Sequence, residues 1–284
     1  MLTIKEVSLL KQQFESRGYY ICKGLLSAEV VQSVRSEMEA IVDFLADWLV
    51  TRELIKDPMK EEPFETRIAK LYHDNLDEAP KNLRHFLNRS GLFDLFFNAE
   101  LLDLVEEILG PEIRLYPNYS ARPKLPDWEG TLVLWHQDGG YTDSMSGQNG
   151  SADQLRMVNV WSPLVPTRVE NGCMQFIPGT HKLGIVPHVS KKHYLEIADD
   201  HLKPRLKYAV NIEVDPGDVV LFHNLLFHCG LPNKSKTVRW SLDWRYQDAT
   251  QPTMRTENGH LARSRNNPAA VVQSASQWAR LTLN

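Results

Sequence analysis

Cysteine is scarce in this sequence of 284 residues, which contains three, Cys22, Cys173 and Cys229. They lie far apart and form no Cys-x-x-Cys pair, so no disulfide framework is expected. The first residues also lack the charged and then apolar pattern of a secretory signal peptide. Together these absences predict a cytoplasmic protein whose cysteines stay reduced.

Long apolar runs and an excess of one charge are also missing. The longest apolar stretch near the N-terminus, residues 44–50, is interrupted by Asp47 and is too short to span a bilayer. With 32 Lys and Arg against 36 Asp and Glu, the net charge is −4. This balance gives no electrostatic reason to expect nucleic acid or a membrane as partner. We expect a small-molecule substrate. The chain is expected to be a monomer or a homodimer, and the sequence does not decide between the two.

Helical signals fill the first 110 residues. Thr3 and Glu6 form a capping-box pattern that predicts a helix to residue 16, and a short strand is expected at 19–22. Ser27 precedes a long stretch whose apolar residues follow a helical period. A second such stretch, 92–109, ends before Gly110.

The texture changes after Gly110, where short runs rich in Val, Ile, Trp and Tyr alternate with turn residues. These runs predict strands near 113–119, 131–136, 157–161, 173–177, 209–214, 218–223 and 238–246. We expect a mainly β fold, a jelly roll with N-terminal helices packed on one side. The chain is interpreted as one domain, 1–284, with a helical prefix (about 1–110), a β core (about 111–247) and a polar tail (248–284).

The last predicted strand has two chemically different faces. One face is apolar and the other is polar, with Arg239, Ser241, Asp243 and Arg245. Two interpretations follow: a solvated polar face, as in many antiparallel sheets, or a polar lining at the mouth of a ligand pocket.

A histidine and an aspartate, His136 and Asp138, stand where a predicted strand enters a glycine-rich turn. Residues i and i+2 of an extended segment point to the same side, so both side chains can coordinate one metal ion. An imidazole with a carboxylate suits Fe(II), Mn(II) or Zn(II). The pair alone is a weak signal, because with 10 His in the chain such a pair arises easily by chance.

A second cluster strengthens the hypothesis of a metal site. His223 and His228 follow a predicted strand, and Arg239 comes eleven residues after His228. Either imidazole would complete two histidines and one carboxylate on one face of a metal, the arrangement of non-haem Fe(II) oxygenases. An arginine on the adjacent strand could hold the carboxylate of a cosubstrate.

The order of these motifs resembles the phytanoyl-CoA dioxygenase (PhyH-like) family. The resemblance rests on His136-x-Asp138, on the run 171–182 that includes Pro178-Gly179-Thr180-His181, and on Gly217-Asp218 followed by His228 and Arg239. It implies a double-stranded β-helix (cupin-like) core and an oxygenase that uses Fe(II), 2-oxoglutarate and dioxygen. It also implies hydroxylation of an unactivated carbon, with release of succinate and carbon dioxide. Asp138 argues against halogenation, because halogenating relatives lack this carboxylate.

The resemblance also implies individual roles. His136, Asp138 and His228 would be the iron ligands, with His228 preferred to His223 because of the eleven-residue step to Arg239. Arg239 would anchor 2-oxoglutarate. Three further residues would line or reach the cosubstrate pocket: Lys70, Gln137 and Trp161. Gly230 departs from the family, which often has Ser or Thr two residues after the distal histidine.

Other interpretations stay open from the sequence. The chain could be a cupin-like metalloenzyme that does not use 2-oxoglutarate, or a non-catalytic jelly-roll binding protein. The polar stretch 141–156 could be a substrate lid or a surface loop. The substrate itself is not determined, although several residues could meet an anionic or polar one: Arg122, Tyr141, Trp244, Arg255, Arg263 and Arg265.

Overall fold

Eight α-helices occur in the part of the chain that the computed structural model describes, residues 4–145, 152–191 and 195–281. They are Ile4–Arg17 (α1), Ala28–Thr51 (α2), Phe64–Leu71 (α3), Phe93–Phe96 (α4), Ala99–Leu109 (α5), Asp138–Met145 (α6), Asp199–Leu202 (α7) and Ala275–Trp278 (α8). Short 3-10 turns connect several of them, including Arg84–Phe86. None of the described helices is both long and apolar enough to cross a membrane.

Thirteen strands accompany the described helices. They are Tyr19–Cys22 (β1), Ile113–Leu115 (β2), Ser120–Lys124 (β3), Val133–His136 (β4), Met157–Pro163 (β5), Met174–Ile177 (β6), His188–Ser190 (β7), Leu195–Ile197 (β8), Val210–Ile212 (β9), Val219–His223 (β10), Phe227–Gly230 (β11), Arg239–Asp248 (β12) and His260–Arg263 (β13). A seven-stranded antiparallel sheet has the order β1-β10-β5-β12-β2-β13, with β3 also paired to β12. A four-stranded sheet has the order β4-β11-β6-β9, and β7 pairs with β8.

The two larger sheets pack against each other through apolar side chains. Trp161 and Phe222 of the seven-stranded sheet share one buried cluster with Met174, Phe176 and Ile212 of the four-stranded sheet. This arrangement confirms the expected jelly-roll core. The sheets form no closed barrel within the described residues, because each keeps its own edge strands.

The helical layer on one side is also confirmed. The apolar face of β12 lies in the largest core cluster together with residues of α1, α2, α3 and α5. Phe64 of α3 stacks on Trp240 with ring centroids 4.9 Å apart, and Phe96 of α4 meets Trp244 edge-on at 5.6 Å. Large buried aromatic pairs of this kind fix the helices on the outer face of the sheet.

Capping residues and apolar periodicity in the sequence predicted some helix ends correctly but missed others. Ser27 is the N-cap of α2, and its side chain accepts a hydrogen bond from the amide of Val30. The stretch 92–109 is not one helix: α4 ends at Phe96, and Asn98 caps a new helix by accepting from the amide of Leu101 at 3.0 Å. The apolar period continues across the break, so periodicity alone did not reveal it.

The segment 248–284 was expected to be a polar tail, and its described part, residues 248–281, adds contacts to the fold. It contributes β13, which pairs with β2 at the edge of the seven-stranded sheet. It also contributes Trp278, which is fully buried and donates its indole N–H to the carbonyl of Leu87 at 3.1 Å. A single anchoring tryptophan and a four-residue strand give too little periodicity to be recognised in sequence.

Candidate active site

Two histidines face each other across neighbouring strands of the four-stranded sheet. His136 ends β4 and stands directly opposite His228 of β11, with ring centroids 4.0 Å apart. In both rings Nδ1 donates to a main-chain carbonyl two residues earlier, that of Leu134 at 2.8 Å and that of Leu226 at 2.9 Å. Because a carbonyl can only accept, each Nε2 keeps its lone pair for a metal.

Asp138 completes the cluster from the first position of α6. Its Oδ1 lies 3.5 Å from Nε2 of His136, and the ligand atoms of His136, Asp138 and His228 all lie within 4.8 Å of one another. The other oxygen, Oδ2, accepts from Nδ2 of Asn159 and from Nη2 of Arg245, each at 2.8 Å. One carboxylate oxygen is therefore fixed by the protein and the other is available to an ion.

The electrostatics of the cluster suit a divalent cation. Burial alone would raise the pKa of Asp138, but Arg245 and the two imidazoles together hold it well below its ordinary value. Burial, with a smaller contribution from the neighbouring His136, lowers the pKa of His228 to about 3. An ionised carboxylate and a neutral imidazole are the forms in which these groups bind a metal.

Two glycines let α6 begin immediately after the metal-binding strand. A Cβ at Gly139 would lie 2.6 Å from Cδ2 of Leu225, and one at Gly140 would lie 2.6 Å from the ring of His188. No larger residue fits without displacing these neighbours. The glycine-rich turn expected from the sequence is therefore the first turn of a helix, and it places Asp138 at that helix's start.

The polar face of β12 is buried, which decides between the two interpretations of this strand. Arg239 is 4% exposed, and its guanidinium lies over the ring of Trp161 at 5.5 Å from the centroid. Its Nη1 donates to Oγ of Ser241, whereas its buried Nε has no acceptor among the described residues. Burial and the nearby charge of Arg122 lower the pKa of Arg239 to about 10. A buried arginine without a carboxylate partner in the described chain matches an anchor for an anionic cosubstrate.

Lys70 and Gln137 have surroundings different from those expected. Lys70 lies on α3 with about half of its side chain exposed, and its ammonium pairs with Glu62 at 2.6 Å. Gln137 is fully buried, and its side-chain amide forms hydrogen bonds with the main chain. Nε2 donates to the carbonyls of Gly184 and Leu225, and Oε1 accepts from the amide of Val186. Gln137 therefore fixes the loops around the start of α6. Within the described part of the chain, neither side chain makes a hydrogen bond or an ion pair with a residue of the metal cluster.

His223 lies outside the cluster. Its ring is 5.1 Å from that of His181 and 6.0 Å from that of Phe14, and its Nδ1 accepts from the amide of Leu225 at 3.1 Å. Burial lowers its pKa to about 4, so it is a neutral, hydrogen-bonded core histidine. Among the described side chains, His228 is the imidazole that the fold brings to His136 and Asp138.

The residues suggested for substrate contact separate into two groups. Trp244 belongs to the apolar core, and Arg263 and Arg265 both pair with Glu106 at the edge of the sheet. Tyr141 lies at the cluster, with its ring 5.4 Å from that of His136. Arg122 also belongs to the metal side, because it pairs at 2.5 Å with Asp243, which Arg245 joins to Asp138. Arg255 donates through Nε to the hydroxyl of Tyr116 at 3.0 Å. Of the stretch 141–156 proposed as a lid, residues 146–151 lie outside the described ranges.

Sequence reasoning missed the contact network behind Asp138. Arg245 bridges Asp138 to Asp243 with distances of 2.8 and 2.7 Å, and Arg122 holds the other oxygen of Asp243. Asp243 and Arg245 lie two residues apart on β12, and Arg122 lies on the neighbouring β3. The alternation of charged residues along β12 was the signal in the sequence that could have indicated this network. The network keeps the aspartate ionised and fixed in orientation.

Comparison with known proteins agrees with this geometry. A family model described as phytanoyl-CoA dioxygenase matches residues 14–241. Phytanoyl-CoA dioxygenase 1 of rice is 32% identical over 81% of this chain and 84% of its own length. The peroxisomal phytanoyl-CoA dioxygenase of mouse is 26% identical over 82% of this chain, which spans 66% of the mouse protein. A 1-deoxypentalenic acid 11-beta-hydroxylase of Streptomyces arenae is 25% identical over 85% of this chain and 81% of that protein.

Solved structures share the fold. The epimerase SnoN, crystallised with Fe³⁺, alpha-ketoglutarate and nogalamycin RO, aligns with a TM-score of 0.60 at 19% identity, over 88% of each chain. EctD from S. alaskensis, crystallised with 2-oxoglutarate and 5-hydroxyectoine, aligns with a TM-score of 0.60 at 16% identity, over 99% of this chain and 86% of EctD.

Proposed function

This chain belongs to the phytanoyl-CoA dioxygenase family of Fe(II)- and 2-oxoglutarate-dependent oxygenases, and we propose that it hydroxylates an aliphatic carbon of a small anionic molecule. The observation that carries the proposal is the convergence of His136, Asp138 and His228 within 4.8 Å. It is supported by the buried Arg239, whose Nε has no acceptor among the described residues. A vestigial jelly-roll binding protein would have no reason to keep this set.

The metal ligands in this proposal are Nε2 of His136, Nε2 of His228 and Oδ1 of Asp138. Two neutral imidazoles and one carboxylate fit Fe(II) and leave positions open for small ligands. Bound iron, with 2-oxoglutarate and dioxygen, supplies an oxidant able to remove hydrogen from an unactivated carbon. The chain holds the imidazole tautomers through Leu134 and Leu226 and keeps Asp138 ionised.

The cosubstrate pocket in this proposal lies over the face that the paired strands β5 and β12 share with Trp161 and Arg239. Arg239 anchors the distal carboxylate of 2-oxoglutarate, and Trp161, 3% exposed, forms the wall beneath the guanidinium. A charge-assisted bond to arginine is strong in a dry site, because little water competes for it. The expected roles of Lys70 and Gln137 at this pocket stay predictions, and their present hydrogen bonds give them no support.

An arginine cluster supports an anionic substrate. Arg84 donates through Nη2 to the side chain of Asn118 at 3.2 Å, and the carbonyl of Asn118 accepts from Arg245, the residue that holds Asp138. The buried Nε of Arg84 has no acceptor among the described residues. Burial lowers the pKa of Arg84, and the charges of Arg255, Arg245 and Arg122 lower it further. A carboxylate or phosphate on the substrate would relieve this repulsion.

The proposal also covers the cellular location, the domain organisation and the oligomeric state of the enzyme. A cytoplasmic location is supported by the three cysteines, which are all free and buried. A single oxygenase domain over 1–284 is supported by the core cluster that residues of α1 share with residues of β12 and with Trp278. The expectation of a monomer or a homodimer stays a prediction.

The proposal is tested with purified protein, Fe(II), 2-oxoglutarate and a panel of aliphatic carboxylic acids, each paired with its methyl ester. We expect at least one acid to stimulate succinate formation, and its ester to do so much less. His136→Ala, Asp138→Ala and His228→Ala should each lower this rate at least ~100-fold, because the set acts as a unit. The exposed His73→Ala serves as the matched control and should keep the wild-type rate.

Two outcomes would contradict the proposal. Full activity in any of the three alanine variants would refute that ligand assignment. Failure of the Fe(II)-loaded protein to develop a charge-transfer band with 2-oxoglutarate would favour a cupin-like metalloenzyme of another class.

A further inference from the structure

A lysine on β3 lies buried beside the arginine that anchors the cosubstrate in our proposal. Lys124 is 2% exposed, and it stands directly opposite Arg239 in the pairing of β3 with β12. Directly opposed residues of an antiparallel pair share one face, so both cations face the same interior. The amide of Asn233 fixes the backbone here by donating to the carbonyl of Lys124 at 2.8 Å.

The ammonium of Lys124 is not fully satisfied by the protein. Its Nζ donates to the carbonyls of Thr131 and Gly230, each at 3.2 Å. In its protonated form the lysine has three donors, and these two long bonds to neutral acceptors leave one without a described partner. No carboxylate in the described chain lies within 4.0 Å of Nζ or of the Arg239 guanidinium.

The lysine occupies the space that a side chain at position 230 would need. A Cβ built on Gly230 would lie 3.2 Å from Nζ of Lys124 and 3.4 Å from Cβ of Val133. In the family that this chain resembles, Ser or Thr often stands at this position. Here the glycine allows an ammonium to reach the same place from the neighbouring sheet.

A protonated lysine beside a buried arginine is costly without an anion. Charged groups lose hydration on burial, and like charges repel more strongly in a medium of low dielectric. Burial, followed by the charges of Arg239 and Arg122, lowers the pKa of Lys124 to about 6, so the empty pocket favours its neutral amine. Burial and the charge of Arg122 lower the pKa of Arg239 to about 10. A carboxylate placed between the two would remove this cost.

We propose that Lys124 and Arg239 together bind the distal carboxylate of 2-oxoglutarate, with the lysine in the place of the hydroxyl that Gly230 lacks. The inference rests on the proposed function and adds a residue to it. A merely structural lysine would tie β3 to β11 through Gly230 and would have no influence on the choice of cosubstrate.

The test compares Lys124→Met with wild type in full-length protein loaded anaerobically with Fe(II). The dissociation constants of 2-oxoglutarate and of 2-oxopentanoate, which carries a methyl group in place of the distal carboxylate, are measured from the charge-transfer band. Wild type should prefer 2-oxoglutarate, and Lys124→Met should reduce that preference at least ~10-fold by weakening 2-oxoglutarate alone, because a charge-assisted contact is lost. Arg239→Met is the positive control, and the exposed Lys203→Met should behave as wild type.

The melting temperature gives a second readout, because the substitution that weakens 2-oxoglutarate binding should not destabilise the free protein. Without cosubstrate, Lys124→Met should raise the melting temperature or leave it unchanged, because an apolar side chain of similar length replaces a buried amine that makes only two long hydrogen bonds. An unchanged preference, or equal weakening of both oxo acids, would overturn the inference while leaving the proposed function intact. Wild-type protein that binds neither oxo acid would instead refute the proposed function.

Discussion

At the scale of single residues, the site depends on how Asp138 is held. A carboxylate that binds a metal must be both ionised and correctly oriented, and Arg245 provides both conditions through Oδ2. The same guanidinium also binds Asp243, so it bridges two carboxylates, and Arg122 supplies the second positive charge. Residues that orient a metal ligand commonly matter nearly as much as the ligand itself.

Replacing this arginine should weaken metal binding. In Arg245→Met, Asp138 loses its charged partner while Asp243 stays nearby, so the carboxylate is less ionised and less fixed. We expect the dissociation constant for Co(II), read from its visible absorption, to rise roughly 10- to 100-fold. Arg168→Met, which removes a half-exposed ion pair with Asp215, is the control and should not change it. An unaltered constant in Arg245→Met would show that Asn159 alone positions the carboxylate.

At the scale of secondary-structure elements, β12 contributes to both the hydrophobic core and the candidate active site. Its apolar face anchors the helices, and its polar face supplies Arg239 and Arg245 to the pocket. All ten residues of this strand are buried. The strict alternation along an antiparallel strand is what allows one element to serve the core and the site at once.

The break between α4 and α5 can be tested by one substitution. If 92–109 were a continuous helix, Asn98→Ala would stabilise it, because alanine is the better helix former. In the structure Asn98 caps α5, so the same change should lower the free energy of unfolding by about 1 kcal/mol. Urea denaturation measures the sign, and Ser36→Ala on the exposed face of α2 should change stability by less than about 0.5 kcal/mol. A gain in stability would contradict the cap.

At the scale of the whole molecule, the metal cluster joins the two sheets. His136 and His228 come from the four-stranded sheet, whereas Arg245 and Asn159, which hold Asp138, come from the seven-stranded sheet. An ion bound only by the folded arrangement of these groups must stabilise the fold.

Metal removal should therefore lower the melting temperature. At a free Mn(II) concentration of 100 times its dissociation constant, we expect a stabilisation of about 2.7 kcal/mol relative to chelator-treated protein. Differential scanning calorimetry measures the shift, and Asp138→Ala should abolish it while the exposed His73→Ala keeps it. A shift that persists in Asp138→Ala would place the stabilising ion elsewhere.

The sequence by itself determined the features that depend on neighbours in the chain. His136 and Asp138 lie two residues apart, Ser27 directly precedes its helix, and the two faces of β12 follow from alternation. These patterns are local because backbone geometry fixes where residues i and i+2, or a cap and its helix, point. The jelly-roll class followed from the succession of such elements together with the family resemblance.

Only the tertiary structure decided which distant groups meet. His228 rather than His223 reaches the cluster, Arg245 meets Asp138 across 107 positions of the chain, and Lys124 meets Gly230 across 106. Such contacts depend on how two sheets pack and in which register their strands pair. A local sequence pattern cannot predict these contacts, because the local preferences of one residue do not depend on which distant residue lies opposite it.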